Sequence, residues 1–194
     1  MYLTRKILLM AYLEDYKHKF ESLVVGLDSS NRDQLRRKAN GGNSIIFTYP
    51  PSEEKIYIEK GKELLLVDEY QFIDVSQILV RFIDNDGWTD FESYYNDFSD
   101  TPHLIFNSED EEKDFMDLII NEISEAENNN KTPILIRTGA LYGTGIDNVN
   151  IMEHKVVMTL KHPLVIFYPS KIENENLYFL NFKLASKYRC TVID

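Results

Sequence analysis

Apolar positions in this chain follow two different periods. Leu9, Tyr12, Leu13, Tyr16, Phe20 and Leu23 recur at three- and four-residue spacing. That spacing lines one face of a helix and predicts an amphipathic N-terminal helix. Residues 28–43 are polar and end in Asn40-Gly41-Gly42-Asn43, so a connecting loop is expected there. The pattern then changes. Ser44-Ile45-Ile46-Phe47-Thr48-Tyr49 is β-branched and aromatic with little polar alternation, as in a strand covered on both faces. Pro50-Pro51 stops it. Proline is tolerated in a first helical turn, and Ser52-Glu53-Glu54 adds a cap and negative charge where the helix dipole favours them. A helix is expected from there towards Glu69, with Gly61 as its weak point. Gln71 to Ser76 reads as a second short strand.

From Ile78 to Phe106 aromatics alternate with carboxylates, which predicts one or two helices. Ser108, followed three residues later by Glu111, has the form of a capping box. Phe115, Met116, Ile119, Ile120 and Ile123 supply the buried side of the helix expected to follow, and Asn128-Asn129-Asn130 ends it. Pro133-Ile134-Leu135-Ile136-Arg137 is a third strand. Asp147 or Asn148 can cap a short helix carrying Val149, Met152 and Val156. Pro163 to Tyr168 is a fourth, nearly all-apolar strand, expected to be central. Leu177 to Leu180 is a short strand or helical turn, and Tyr188 to Ile193 is the last strand. Strands alternating with helices predict an α/β fold, a three-layer sandwich around a mostly parallel sheet of about five strands. The architecture is P-loop or Rossmann-like in its order of elements, without the nucleotide motifs.

Charge changes this picture in one place. The 194 residues carry a net charge of −11, but Asp84 to Glu127 holds fifteen Asp and Glu against one basic residue, Lys113. That section carries −14 and the remainder +3, so a nearly neutral body bears one strongly acidic helical section at about 84–127. An acidic protein without a dense Lys/Arg stripe is a poor candidate for direct nucleic-acid binding. Arg36-Arg37-Lys38 is the one short basic run and reads as a solvated loop or helix end. A chain of this length fits one domain, 1–194, and can bury roughly 70% of its unfolded surface without disulfides or metals. The single cysteine, Cys190, cannot form an internal disulfide, and the apolar run from Ile7 to Leu13 is too short to span a membrane. Cytoplasmic residence without a signal peptide is the expectation.

The candidate chemistry is sparse. Gly139-Ala140-Leu141-Tyr142-Gly143-Thr144-Gly145 lies between a strand and a helix, where phosphate loops sit. It lacks the Lys-Ser/Thr of a P-loop and the G-x-G-x-x-G spacing, so a glycine turn that lets backbone pass close to its neighbours explains it better than nucleotide binding does. The first strand-to-helix turn, Tyr49-Pro50-Pro51, has two residues without N–H donors and cannot cradle phosphate with backbone amides. His18, His103, His154 and His162 are scattered without metal-ligand spacing. Cys190 sits in an apolar strand and reads as a small buried hydrophobe. Asp84-Asn85-Asp86-Gly87 hints at a calcium loop, but the twelfth position is Tyr95 rather than Glu. No catalytic, metal or cofactor constellation emerges, and none is expected.

What remains are three strand ends. Tyr49, Pro50 and Pro51, then Arg137, Thr138, Gly139 and Tyr142, and finally Tyr168 and Pro169 would gather along one edge of a parallel sheet, where ligands and partners dock. Tyrosine and proline suit an interface, and Arg137 can pair with an anion or a partner carboxylate. Equally, the rings can fill the core and Arg137 can form a structural ion pair. Three elements in this order and spacing carry a resemblance: Tyr49-Pro50-Pro51-Ser52-Glu53-Glu54, Ile136-Arg137-Thr138-Gly139-Ala140-Leu141-Tyr142, and Pro163-Leu164-Val165-Ile166-Phe167-Tyr168-Pro169. From about Ile45 to Asp194 the chain resembles the BrxB family of bacteriophage-exclusion (BREX) systems. Ser170 stands where that family usually has glycine. The resemblance implies a non-enzymatic subunit of an anti-phage complex. Its partners would be a PglZ-like protein first, then a PglX-like methyltransferase or a BrxC-like ATPase. A degenerate nucleotide-binding domain is the alternative.

Overall fold

The structure is a computed structural model that describes residues 16–101, 103–106 and 114–194. Five strands run parallel in the order β2 (Tyr70–Asp74), β3 (Thr132–Ile136), β4 (Leu164–Glu173), β1 (Ser44–Tyr49), β7 (Cys190–Ile193). The apolar run of β4 pairs with β1 from Leu164 to Pro169 and is central, as its composition predicts. β4 then continues past the edge of the parallel sheet. Its last four residues pair antiparallel with β5 (Asn176–Phe179), which pairs with β6 (Lys183–Ala185). The result is an α/β fold whose open sheet is parallel through its centre, extended by an antiparallel hairpin.

Alternate residues of a strand point to opposite faces, and here both faces are covered. Ile45, Phe47 and Tyr49 of β1 and Val165 and Phe167 of β4 pack beneath helix α1 (residues 16–27) and α3 (Glu54–Leu64). Ile46, Ile166 and Tyr168 pack on the other face, against α4 (Val75–Asp86), α7 (Phe115–Asn128), α8 (Asn148–Glu153) and α9 (Lys155–Thr159). The crossover from β1 to β2 moves along the sheet in the opposite direction from β3 to β4. A right-handed connection therefore leaves β1 on one face and β4 on the other. The adjacent strands β1 and β4 form the switch point, where a crevice opens at the strand ends.

Several local expectations change. Residues 28–43 are not all loop: a 3-10 turn at Ser29–Asn31 leads into α2 (Arg32–Lys38), with Asp28 accepting a hydrogen bond from the Ser30 amide. Leu35 is the one buried side chain of α2, too few to set a period. The helix expected to reach Glu69 stops at Leu64, because Leu65 is extended and buried. Gly61 is not a weak point. A Cβ there would stand 2.9 Å from the Phe167 ring, so glycine permits a close approach between α3 and the sheet. Val75 and Ser76 begin α4 rather than end β2, since Asp74 caps that helix through the Ser76 and Gln77 amides. The acidic stretch holds α4, α5 (Trp88–Asp97) and α6 (His103–Phe106). Helix α7 is capped by Asp114, which accepts from the Asp117 amide at 2.8 Å. Leu9, Tyr12 and Leu13, and the capping box at Ser108 and Glu111, lie outside the described residues. Among the described residues no helix is long and apolar enough to cross a membrane.

Candidate functional site

The strand ends do share one edge, but they do not present the residues equally. Tyr49 is wholly buried among Tyr57, Phe47 and Phe167, and its hydroxyl donates to Glu54 Oε2 at 2.9 Å. Tyr168 is also buried, on the opposite face, stacked on Phe179 with centroids 4.7 Å apart. Burial, with Glu54 adding its charge for Tyr49 and Asp147 for Tyr168, pushes both phenols above their ordinary range. These tyrosines are core residues rather than contact residues. A strand covered on both faces buries its terminal ring whichever way it points.

The crevice between the ends of β3 and β4 is filled from within. Pro169 is buried, and its carbonyl accepts the Leu180 amide at 2.7 Å. Thr138 is buried and donates through Oγ1 to the Phe167 carbonyl at 2.8 Å. A Cβ at Gly139 would lie 3.7 Å from Leu180 and 3.9 Å from Pro169. The hairpin β5–β6 thus covers the edge on the β3 side of β4, next to the switch point where an open α/β sheet usually receives a ligand. Several donors of the glycine loop are occupied too. The Ala140, Tyr142 and Thr144 amides bond to the Arg137, Gly139 and Leu141 carbonyls, and the Ile146 amide to Thr144 Oγ1. A phosphate could use those donors only by unfolding the turn.

What the edge does expose is a ledge above the filled crevice. Tyr142 is 55% exposed and Phe182 61%, and their rings meet edge to face at 5.5 Å and 81°. The turn of the hairpin holds Phe182 there, with Leu180 and Asn181 both at positive φ, and Lys183 ties the hairpin to Asp147 at 2.5 Å. Pro50 is exposed on the same edge and Pro51 half-buried. Arg137 is left-handed (φ 54°, ψ 38°), and its guanidinium reaches Asp74 at 2.5 Å. A left-handed residue other than Gly, Asn or Asp carries strain of about 1–2 kcal/mol. Sequence reading missed Phe182 and Asp74. The signal for Phe182 was an aromatic beside Asn181, between two short apolar runs.

Asp74 has two roles, as cap of α4 and partner of Arg137. Asp74→Ala is expected to cost about 1–2 kcal/mol, the larger part from the cap, because an ion pair to a half-exposed arginine typically contributes only about 0.5 kcal/mol. Asp74→Asn retains the cap acceptor and should lose under half as much in urea unfolding.

The remaining candidates hold no convergent chemistry. Asp84 lies in the last turn of α4 and Gly87, at φ +80°, joins it to α5, so the stretch is helical rather than a calcium loop. Among the described residues no three His, Cys, Asp or Glu side chains group as metal ligands. His18 pairs with Glu21 and His162 with Glu127, on separate elements. Burial pushes the Cys190 thiol up to about 12, which keeps it protonated and unreactive at neutral pH. The fold and this edge define an α/β protein whose strand-end crevice is plugged and whose exposed feature is an aromatic ledge beside an arginine. No family model, curated protein or solved structure matches the chain.

Proposed function

We propose that the chain is a non-enzymatic scaffold or adaptor subunit of a BREX-type anti-phage defence complex, working in the cytoplasm by protein–protein contact. The observation that carries the reading is the Tyr142–Phe182 ledge: two exposed aromatic rings above a crevice that the chain fills with its own residues. Exposed, locally rigid aromatics are the usual anchors of interfaces. Arg137 stands on the same edge with one guanidinium nitrogen on Asp74 and its other donors available to a partner carboxylate. The resemblance to BrxB-like sequences supplies the partner class, a PglZ-like protein first, then a PglX-like methyltransferase or BrxC-like ATPase.

The test is affinity purification of the tagged chain from its native cells, followed by the double substitution Tyr142→Ala with Phe182→Ala, and separately Arg137→Ala. Stoichiometric recovery of a PglZ-like protein is expected. The aromatic double variant should weaken that recovery at least tenfold, about 1.4 kcal/mol or more, while melting near the parent temperature. Undiminished recovery and phage restriction in both variants would sink the assignment. Saturable ATP binding by calorimetry, lost in Gly143→Val, would replace it with the degenerate nucleotide-binding reading.

A further inference from the structure

The opposite edge of the sheet, where the parallel strands begin, gathers the charge that the net value of −11 hides. Three segments meet there. The register places Ser44 beside both Leu164 and Cys190, so the residues preceding β1, β4 and β7 lie side by side. Asn43 Nδ2 donates to the Leu160 and His162 carbonyls, and Arg32 reaches the Leu160 carbonyl at 2.7 Å. Gly42 lies directly against the backbone of Arg189. The cations brought together are Arg32, Arg36, Arg37 and Lys38 of α2, Lys161 before β4 and Arg189 before β7.

Few carboxylates oppose them. Glu153 pairs with Arg189 at 3.3 Å. Glu127 accepts from the Lys161 amide and pairs with His162. Asp33 lies beside Arg32 and one helical turn before Arg36 and Arg37. Arg36, Arg37, Lys38 and Lys161 have no ion pair among the described residues, and Arg36 Nε is buried without a hydrogen-bond partner. Burial and then the neighbouring Arg36 charge lower the Arg32 guanidinium from its ordinary value, with Glu127 and Asp33 opposing in part.

We infer that this edge is a docking surface for the phosphate backbone of a nucleic acid. Two arguments favour phosphate over an acidic protein. The cluster is rich in arginine, whose planar fork matches phosphate oxygens. It also lacks the buried aromatic and aliphatic anchors that protein interfaces centre on, with Tyr188, stacked against Arg189, its one exposed ring. The whole-chain charge does not forbid this. Helix α7 of the acidic section packs over β2 and β3 and meets the cluster at its last turn, where Glu127 bonds the Lys161 amide, whereas the cluster surrounds the start of β1 and β7. A Debye length of about 8 Å at physiological salt limits how far the more distant carboxylates act on the cluster. Local potential, not net charge, governs contact at that range.

The experiment is fluorescence anisotropy of the full chain with a short labelled DNA duplex and a single-stranded RNA, in parallel at about 50 and 200 mM salt. Binding of either probe is expected. Three phosphate contacts would make the affinity fall about 40-fold between those salts. Arg37→Glu with Lys38→Glu and Lys161→Glu, all exposed positions, should lower affinity at least tenfold at low salt. The milder Arg37→Gln with Lys38→Gln should show a smaller loss and a shallower salt slope. The Tyr142→Ala and Phe182→Ala double variant, at the other end of the sheet, should bind the probes as the parent does. Absence of binding at low salt, or unchanged binding by both charge variants, overturns the inference. So does polyglutamate competing as well as unlabelled DNA, which would hand the surface to an acidic protein.

Discussion

Gly42→Ala is expected to be the most damaging single methyl addition available in the described chain. A Cβ at this position would fall 1.9 Å from the Arg189 carbonyl oxygen, 2.5 Å from its carbon and 2.7 Å from its Cα. All three are backbone atoms, so no side chain can rotate away. Relief requires the turn before β7 to separate from the turn before β1. That would pull on the Ser44–Cys190 pairing of the sheet and on the Asn43 bonds to residues 160–162. Overpacking usually costs about 1–3 kcal/mol, and a backbone clash belongs at or above the top of that range. At about 2–4 °C per kcal/mol for a domain of this size, the melting temperature should fall by about 10 °C. Gly41→Ala is the control. Gly41 has open space but φ +81°, so its cost is conformational strain alone, about 1–2 kcal/mol. If thermal melts rank Gly41→Ala as the worse of the two, the close approach of the two turns is wrong.

That contact joins segments 147 residues apart, and nothing local in Asn40-Gly41-Gly42-Asn43 announces it. The glycines read as a flexible loop, whereas Gly41 serves a positive φ and Gly42 a backbone crossing. The central strands β1 and β4, by contrast, were legible because each carries a continuous apolar run bounded by Asn or Pro. Such a run has one stable home in an α/β fold, between two layers of helix. Helix α2 was illegible because only Leu35 is buried and one apolar position defines no period. β6 was missed because Lys183-Leu184-Ala185 is short and nowhere fully buried, and its place comes from pairing with β5 rather than from its own pattern.

The site was half legible for a related reason. Residue type and position at a strand end can be read from sequence, and Tyr49, Arg137 and Tyr168 do stand at the ends of β1, β3 and the parallel part of β4. Direction follows from the two-residue period of side chains along any strand. Tyr49 shares a face with Ile45 and Phe47, and Tyr168 with Leu164 and Ile166, so each belongs to a core. The exposed ring, Phe182, depends on a hairpin turn whose two left-handed residues follow from tertiary pairing rather than from a glycine signal. The basic edge escaped for the converse reason. Arg36-Arg37-Lys38 is short in sequence, and folding brings Lys161 and Arg189 to it.

Phe167→Ala is expected to cost about 3–5 kcal/mol, the loss typical of a large buried ring. Phe167 is fully buried in β4 and sits among Phe20, Phe47, Tyr49 and Phe72, with centroids 4.9–6.5 Å away. It also touches Gly61 of α3, where a Cβ would lie 2.9 Å from two ring carbons. That contact gives a sharper test than the single loss. In the parent, Gly61→Ala improves helix propensity by about 1 kcal/mol but drives a methyl group into the ring, at an overpacking cost of about 1–3 kcal/mol, so the net effect should be destabilising. In a Phe167→Leu background the smaller, more adaptable side chain can yield, and the same Gly61→Ala should turn neutral or stabilising. The coupling between the two sites, read from urea midpoints of the four proteins at unchanged slope, should exceed about 1 kcal/mol. Additive effects would mean that α3 does not rest on β4 through this ring. The packing of the α1–α3 layer, with Tyr49 inside it, would then need another keystone.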